Sequence, residues 1–508
     1  MSLGNGPRML SGVAAAAVGL GVAQLCAVPL GPAADALNAV GSAVIDFTPG
    51  GVKEWAIQTF GTADKLFVSV AVVVVIVAIA AGAGIWERRR VPLGSIAVTG
   101  AGIIGCAAIV SRSGATAADI IPTIIGICCG MVVLRVLTVR LPARVPESAI
   151  GVADRGRRLS LMAFGLVGLG VVGAVTGAVS TRRVHSVAGD RKAFAAPPPV
   201  LRAPPLPNGV QPKGVALPSF ITRNDDFYRI DTALLVPQLS RTDWRLKIHG
   251  MVDREITYRF NDLRSFELVE KVVTLTCVSN PIGGDLVSNA VWGGYRVRDL
   301  LAAAGIHRDA DMVLSTSVDG FTAGTPVEAL TDDRDSLLAI TMNDEPLPIQ
   351  HGYPARLVVP GLYGYVSATK WVVDLELTRF DRAQAYWTGL GFPAQAPIKT
   401  QSRIDVPHYS QQMPAGQMTF GGVAWAQRRG VRAVEVRIDN GQWRMADLAA
   451  SYSDDTWRLW SYRWEATKGP HTITVRATDN TGAVQTPEEA DVMPDGATGW
   501  HSVSFRVS

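Results

Sequence analysis

Residues 272–301 read V-V-T-L-T-C-V-S-N-P-I-G-G-D-L-V-S-N-A-V-W-G-G-Y-R-V-R-D-L-L. The stretch opens as an apolar run alternating with threonine, the pattern of a strand with a buried face. It closes on V-R-D-L-L-A-A-A-G, a short helical pattern stopped by Gly305. Between them lies a long turn containing Asn280, Pro281, Gly283 and Gly284, where the backbone takes conformations that a Cβ disfavours. Cys277 stands where the strand runs into this turn. It is the only cysteine after residue 129, so no disulfide within the second half of the chain accounts for it. A lone cysteine at a strand end is more often a small buried hydrophobe than a reactive group, and its meaning rests on the rest of the chain.

The chain has 508 residues, room for about three domains. Its 48% hydrophobic content is high for a soluble protein and points to a membrane portion. Apolar stretches long enough to span a bilayer fall at 9–30, 66–86, 93–110, 120–139 and 159–179, the first diluted by Gly and Ala. Residues 1–195 hold 17 Lys and Arg against 9 Asp and Glu, whereas the remainder holds 31 against 35, so the second half is mildly acidic and nucleic acid is not an expected partner.

Positive charge clusters in two of the loops. Arg88, Arg89 and Arg90 follow the second span, and Arg140, Arg144, Arg155, Arg157 and Arg158 lie between the fourth and fifth. The loop around Arg112 is poor in it. The positive-inside rule then puts the N-terminus inside and residues 181–508 on the extracytoplasmic side of a plasma membrane, with Arg182 and Arg183 running slightly against it. Arg135, in the last turns of the fourth span, can snorkel to the interface. No histidine precedes His185, so the spans lack paired axial imidazoles for a membrane haem, and no C-x-x-C-H occurs; no haem is expected. Against a transporter, no span carries an acidic pair or a helix break beyond Pro122.

Residues 185–218 form a proline-rich linker that reads as a semi-rigid spacer. Residues 219–394 alternate strand and helix signals, an α+β pattern. W-R-L-K-I-H-G at 244–250 is a period-two strand, Asn261 or Asp262 can cap a short helix, and strands follow near Lys271, Met312, Leu337, Arg356 and Trp371. Residues 395–508 are all β, with turn signals at Asn440-Gly441 and at Asp479-Asn480-Thr481-Gly482, the pattern of an immunoglobulin-like sandwich. The architecture expected is therefore multi-domain: a helical membrane domain over 1–184, the linker, an α+β domain and a β-sandwich.

Four motifs in order give the chain a family resemblance. T-C-V-S-N followed by D-L-V-S-N-A-V-W-G-G-Y-R-V-R-D-L-L is similar to the molybdenum-ligand segment of the sulfite oxidase family of molybdopterin enzymes. F-I-T-R-N-D-D-F-Y-R-I-D-T-A-L-L at 220–235, S-V-D-G-F-T-A-G around Asp319, and the run from M-N-D-E-P-L-P-I-Q-H-G-Y-P-A-R to Y-V-S-A-T-K-W resemble its pterin-binding segments. The resemblance implies that Cys277 binds molybdenum as a thiolate, a soft ligand suited to a metal already held by dithiolene sulfurs. It implies a catalytic role for Arg223 as well, and pterin contacts from Asn224, Asp225, Tyr228, Arg229, Asp319, His351, Arg356, Ser367, Thr369 and Lys370. Arg and Lys answer the terminal phosphate as fork and point charge, while His, Asp and backbone groups read the ring.

A molybdenum-molybdopterin cofactor and two-electron oxygen-atom transfer follow from the same resemblance. So do a separate cytochrome or quinone-linked electron partner and a homodimer through the C-terminal domain. Two positions depart from the sulfite oxidase pattern: Asp225 stands where R-N-H has its histidine, and Ile282 stands where N-R-R has its second arginine. Reduction of an S-oxide or N-oxide, such as methionine sulfoxide, is therefore the competing activity, and a non-catalytic membrane receptor or scaffold the competing class. Because this cofactor is inserted in the cytoplasm, its domain would cross the membrane already folded. R-R-L-S-L at Arg157 resembles a twin-arginine export signal, ordinary positive-inside charge being the simpler alternative.

Overall fold

The computed structural model describes residues 5–60, 64–139 and 149–508. Arg140 and Arg144 lie outside the described residues, as does the side chain of Arg155. The chain divides into two compact units. One comprises Met1–Thr48, Thr59–Ser186 and Thr232–Gln238, the other Pro49–Gln58, Val187–Asp231 and Leu239–Ser508.

The helices of the first half are α1 (Asn5–Ala27), α2 (Ala36–Phe47), α3 (Gly50–Phe60), α4 (Asp64–Trp86), α5 (Leu93–Val110), α6 (Ile121–Thr138), α7 (Ala149–Val184) and α8 (Ala188–Ala193). Among the described residues, five long helices, close to the five expected stretches, are apolar enough to cross a membrane. The Gly and Ala content of α1 has a packing reason. Gly12 lies against the Ala80 carbonyl of α4, a Cβ at Gly19 would come within 2.9 Å of the Gly126 oxygen of α6, and Gly21 lies against Gly170 of α7. Small residues let the backbones approach closely, and α1 becomes the helix that α4, α6 and α7 pack around. Glu87 caps α5 through the Ser95 N–H (2.6 Å) and lies 3.5 Å from Arg135, which stays half exposed.

In the second unit, β1 (Arg245–Gly250), β2 (Ile256–Arg259), β3 (Leu268–Thr276), β4 (Val287–Arg296), α9 (Val297–Ala304), β5 (Met312–Ser317), β6 (Thr322–Pro326), α10 (Val327–Thr331), β7 (Leu337–Met342), β8 (Glu345–Pro346), β9 (Arg356–Val358) and β10 (Val372–Thr378) follow in order. They make one sheet ordered β2-β1-β10-β5-β6 and another ordered β3-β4-β7-β8, with β9 beside β7. The α+β pattern and its strands stand where the period-two runs put them. The helix expected to be capped by Asn261 or Asp262 is a 3-10 turn, Phe260–Ser265, that opens earlier: Arg259 is its cap residue, and Asp262, inside the turn, accepts the Arg259 N–H at 2.7 Å. Gly305 ends α9 at φ +75°.

The remaining strands are β11 (Gln401–Val406), β12 (Gln412–Met413), β13 (Gly416–Trp425), β14 (Val431–Ile438), β15 (Arg444–Met445), β16 (Asp447–Leu448), β17 (Arg458–Ala466), β18 (Gly469–Asp479) and β19 (His501–Val507). They form sheets ordered β11-β13-β17-β16 and β12-β19-β18-β14-β15. Phe420 and Trp460 of one sheet share a core with Val434, Ile473 and Phe505 of the other, the arrangement of a two-sheet sandwich.

The proline-rich stretch is not an extended spacer. Val200 N–H donates to the Leu268 oxygen and Glu270 N–H to the Leu201 oxygen, both at 2.8 Å, so the strap pairs with the open edge of β3. Its non-proline residues supply the pairing that prolines cannot, and the edge is covered. Further along, the Pro204 oxygen accepts from Tyr452 Oη (2.7 Å) and the Gly209 oxygen from Ala450 N–H (3.0 Å). Part of α3 also belongs to this unit: Lys53 Nζ donates to Tyr386 Oη at 2.6 Å, and Gly50 lies against Leu390.

Candidate active site

Cys277 is placed by a rigid frame. Strands β3 and β4 pair through Thr276 and Val287, and Cys277 N–H then closes the turn on the Leu286 oxygen at 2.9 Å. Asn280 fastens the same turn, accepting Leu286 N–H at 2.8 Å through Oδ1. Gly283, at φ +72°, lies against the His501 ring, a position that admits no Cβ. Arg403 Nη1 donates to the Gly284 oxygen at 2.9 Å, and Ile282 faces Gly499. The outer edge of β3 is held as well, with Thr274 N–H donating to the Asp455 oxygen (3.0 Å) and Gln427 Nε2 to Thr276 Oγ1 (3.0 Å). The C-terminal sandwich therefore grips the cysteine turn from behind. Ile282 serves as an apolar anchor in that contact.

The segments around 229–231 and 350–370 bring a set of cations together. Lys370 Nζ donates to Asp231 Oδ2 at 3.0 Å and to the Gln350 oxygen at 3.3 Å; Arg229 Nε donates to the same Asp231 oxygen at 2.9 Å. Arg356 is almost fully buried and donates to the carbonyls of His351 (3.2 Å), Leu357 (3.3 Å) and Ala368 (3.3 Å). Its guanidinium lies 5.0 Å over the Trp292 ring. Two cations thus share one carboxylate, and the third, Arg356, donates to carbonyl oxygens.

The surroundings tune these groups accordingly. Burial lowers the Arg356 pKa to about 10. Burial lowers that of Lys370 to about 8, with Asp231 opposing and Arg356 adding to the shift. Burial, then the charges of Lys370 and Arg356, bring His351 to about 3, so its ring is neutral at neutral pH. His351 Nε2 is 3.2 Å from the Asn224 oxygen, and the buried Nδ1 has no hydrogen-bond partner within the protein. The Tyr228 hydroxyl is pushed far above the usual phenol value, by burial first and then by the negative charge of Cys277, with Arg356 opposing. Tyr363 is raised to about 12, mainly by burial, and Cys277 adds to that shift too.

The other candidate residues divide. Asn224 accepts from Asn343 Nδ2 at 2.9 Å and donates to the Met342 oxygen at 3.3 Å, which ties the 220–235 segment to the end of β7. Asp319 sits in the turn between β5 and β6, where burial raises its carboxyl and Asp231 adds to the effect. Arg223 and Asp225 are exposed; Arg223 lies 3.7 Å from Asp226. The Ser367 hydroxyl is committed to the Leu362 and Tyr363 oxygens, and that of Thr369 to Ser315 Oγ at 2.7 Å, so these two brace the strand-like segment carrying Lys370.

A family model described as the oxidoreductase molybdopterin binding domain matches residues 233–387. An uncharacterised oxidoreductase, YuiH, of Bacillus subtilis is 32% identical over 151 residues, 30% of this chain and 73% of that protein. Chicken sulfite oxidase is 28% identical over 58% of this chain and 75% of its own length, and human mitochondrial sulfite oxidase 27% identical over 59% and 64%. The chain belongs to the sulfite oxidase family of molybdopterin oxidoreductases. The fold agrees: the sulfane dehydrogenase SoxCD of Paracoccus pantotrophus superposes with a TM-score of 0.51 at 22% identity, over 58% of this chain and 85% of that one.

The site residues of this molybdopterin oxidoreductase fit the cofactor. An anionic phosphate answers the excess of buried cations, and a flat heterocycle with donors answers the unpartnered Nδ1 of His351. Two residues in contact with these cations escape sequence reading. Asp231, the counter-ion of both Arg229 and Lys370, lay inside the R-I-D run of the first motif. Trp292 gave no signal beyond its place in the W-G-G of β4, because its role under Arg356 depends on long-range packing.

Proposed function

We propose that this protein is a membrane-anchored, extracytoplasmic oxidoreductase acting on a small sulfur compound. The observation that carries the reading is the pairing of Lys370 and Arg229 with Asp231 together with the buried Arg356, in a site where the charges of Cys277 and Arg356 both act on the Tyr228 hydroxyl. In this reading Cys277 binds molybdenum, Arg356 and Lys370 hold the pterin phosphate, and His351 and Asp319 read the ring. When bound, the group supplies two-electron oxygen-atom transfer, and the protein supplies orientation and electrostatics. Tyr228 offers a hydroxyl that remains protonated across the working pH range.

Membrane anchoring is supported by the five long apolar helices and by the arginine distribution. A parity argument agrees. Part of α3, after the first candidate span, packs within the same unit as residues after the fifth, which requires an even number of crossings between them. The two-sheet module is read as an immunoglobulin-like dimerisation domain, and electrons leave through a separate cytochrome or quinone-linked partner. Ile282, turned toward Gly499, leaves the cysteine turn without a cation of its own and favours an S-oxide as the second substrate class.

Turnover of loaded protein tests the reading, with an artificial electron acceptor for oxidation, starting from sulfite, and a reduced artificial donor for S-oxides. A loaded enzyme that oxidises no sulfur compound and reduces no S-oxide would overturn it.

A further inference from the structure

Directly after the last long apolar helix, α8 fastens onto the loop over 345–353. Asp190 Oδ1 accepts from Arg241 Nη2 (2.7 Å) and Nε (3.1 Å), while its Oδ2 accepts from the Arg241 N–H (3.0 Å) and from Tyr353 Oη (2.6 Å). Arg191 donates from Nε to the Leu347 oxygen (2.9 Å) and from Nη2 to the Pro346 oxygen (2.8 Å), and reaches Glu345 at 3.1 Å. The Arg241 guanidinium lies 4.6 Å over Phe194, which packs edge-on to Phe260, so the latch has an apolar floor. Burial raises the Asp190 carboxyl, but hydrogen bonds from Arg241 and Tyr353 outweigh it and leave the group below its usual value.

The opposite side of the same loop faces the cations. Gln350 O accepts from Lys370, His351 O from Arg356, and Ile349 O from Trp371 Nε1 at 2.9 Å. Tyr353 is fully buried and only two residues from His351. The segment thus lies between α8 and the cations, while its start is anchored to β7 through the pairing of Pro346 with Thr341 and the bond from Leu347 N–H to the Ile340 oxygen (3.1 Å).

We propose that α8 is a positioning element of the cofactor site: Asp190 and Arg191 fix the loop that aims His351 and Gln350 at Arg356 and Lys370, and so set how tightly the pterin is held. The inference rests on the molybdopterin reading above. A mere tether would behave differently, because breaking it lowers global stability and leaves the cofactor of folded protein untouched.

The test uses full-length protein purified from a cofactor-competent host, as wild type, Tyr353→Phe, Asp190→Asn and Arg191→Ala. Tyr353→Phe removes one hydroxyl and serves if the charge variants fold poorly. Pterin released into the filtrate is followed by fluorescence at a temperature well below each melting midpoint, normalised to folded protein, beside the Mo(V) paramagnetic spectrum. Release about ten-fold faster in Tyr353→Phe and Asp190→Asn, as expected for loss of a charge-assisted hydrogen bond, with altered Mo(V) parameters, supports the proposal. Release at the wild-type rate with an unaltered spectrum overturns it, whatever the melting points do. A wild type without pterin would overturn the functional reading together with this inference, whereas a loaded wild type with unchanged variants would overturn this inference alone.

Discussion

The Lys370 ammonium donates to the Asp231 carboxylate at 3.0 Å, and Arg229 takes the same oxygen at 2.9 Å. One anion thus serves two cations, while Arg356 donates to carbonyl oxygens. The protein by itself is over-charged here, and an anionic ligand restores the balance.

Removing the shared anion should therefore be costly. Asp231→Asn is expected to destabilise cofactor-free protein by about 3 kcal/mol, since a buried pair loses one partner. Loaded protein should lose less, because the bound anion replaces part of the missing charge. Urea unfolding of both forms measures the difference.

The titration of the cluster gives a pH signature. Lys370 is near 8 in the folded state against 10.5 for an ordinary lysine. The unfolded chain binds more protons between those values, so the stability of cofactor-free protein should rise as pH increases from about 8 to 10.5. His351, near 3 against 6.5, acts in the same sense lower down, and stability should fall as pH drops through that window. Lys370→Met should flatten the alkaline limb alone. Retention of inorganic phosphate should weaken above about pH 8, where Lys370 loses its charge.

Arg356→Lys is not a conservative change. The guanidinium fork reaches three carbonyls at once, of His351, Leu357 and Ala368, and an ammonium is a point charge that cannot span them. Pterin content after gel filtration should fall at least about ten-fold, a loss of one to two hydrogen bonds to a charged group.

The turn after Cys277 carries its own test. Gly283 is at φ +72° with the His501 ring against it. Gly283→Ala should lower stability by about 1–3 kcal/mol through strain and overlap. Adding His501→Ala should recover part of that loss, which a double-mutant cycle read by thermal melting will show.

Much of this was legible in the chain. Cys277 at a strand end, the Gly-bearing turn, the period-two runs of β1 and β3 and the five apolar stretches are local patterns, and each stands in the structure where the pattern put it. Asp231 and Trp292 were not legible, because a counter-ion and a ring platform acquire their roles only when β4, the 220–235 segment and Lys370 are brought together. The proline-rich stretch misled for a similar reason: its composition reports stiffness, but the unpaired edge of β3 that it covers lies elsewhere in the sequence. The motif around Ser367 and Thr369 does not reveal that their hydroxyls bond to neighbouring protein oxygens, because those partners come from the 362–363 turn and from β5.

The most direct measurement is molybdenum and pterin per chain in full-length protein from a cofactor-competent host, beside Cys277→Ser. The account predicts close to one molybdenum and one pterin per chain in the wild type. In the variant it predicts pterin still held by Arg356 and Lys370, with activity and the thiolate-coupled Mo(V) signal lost. A wild type that carries neither would contradict it.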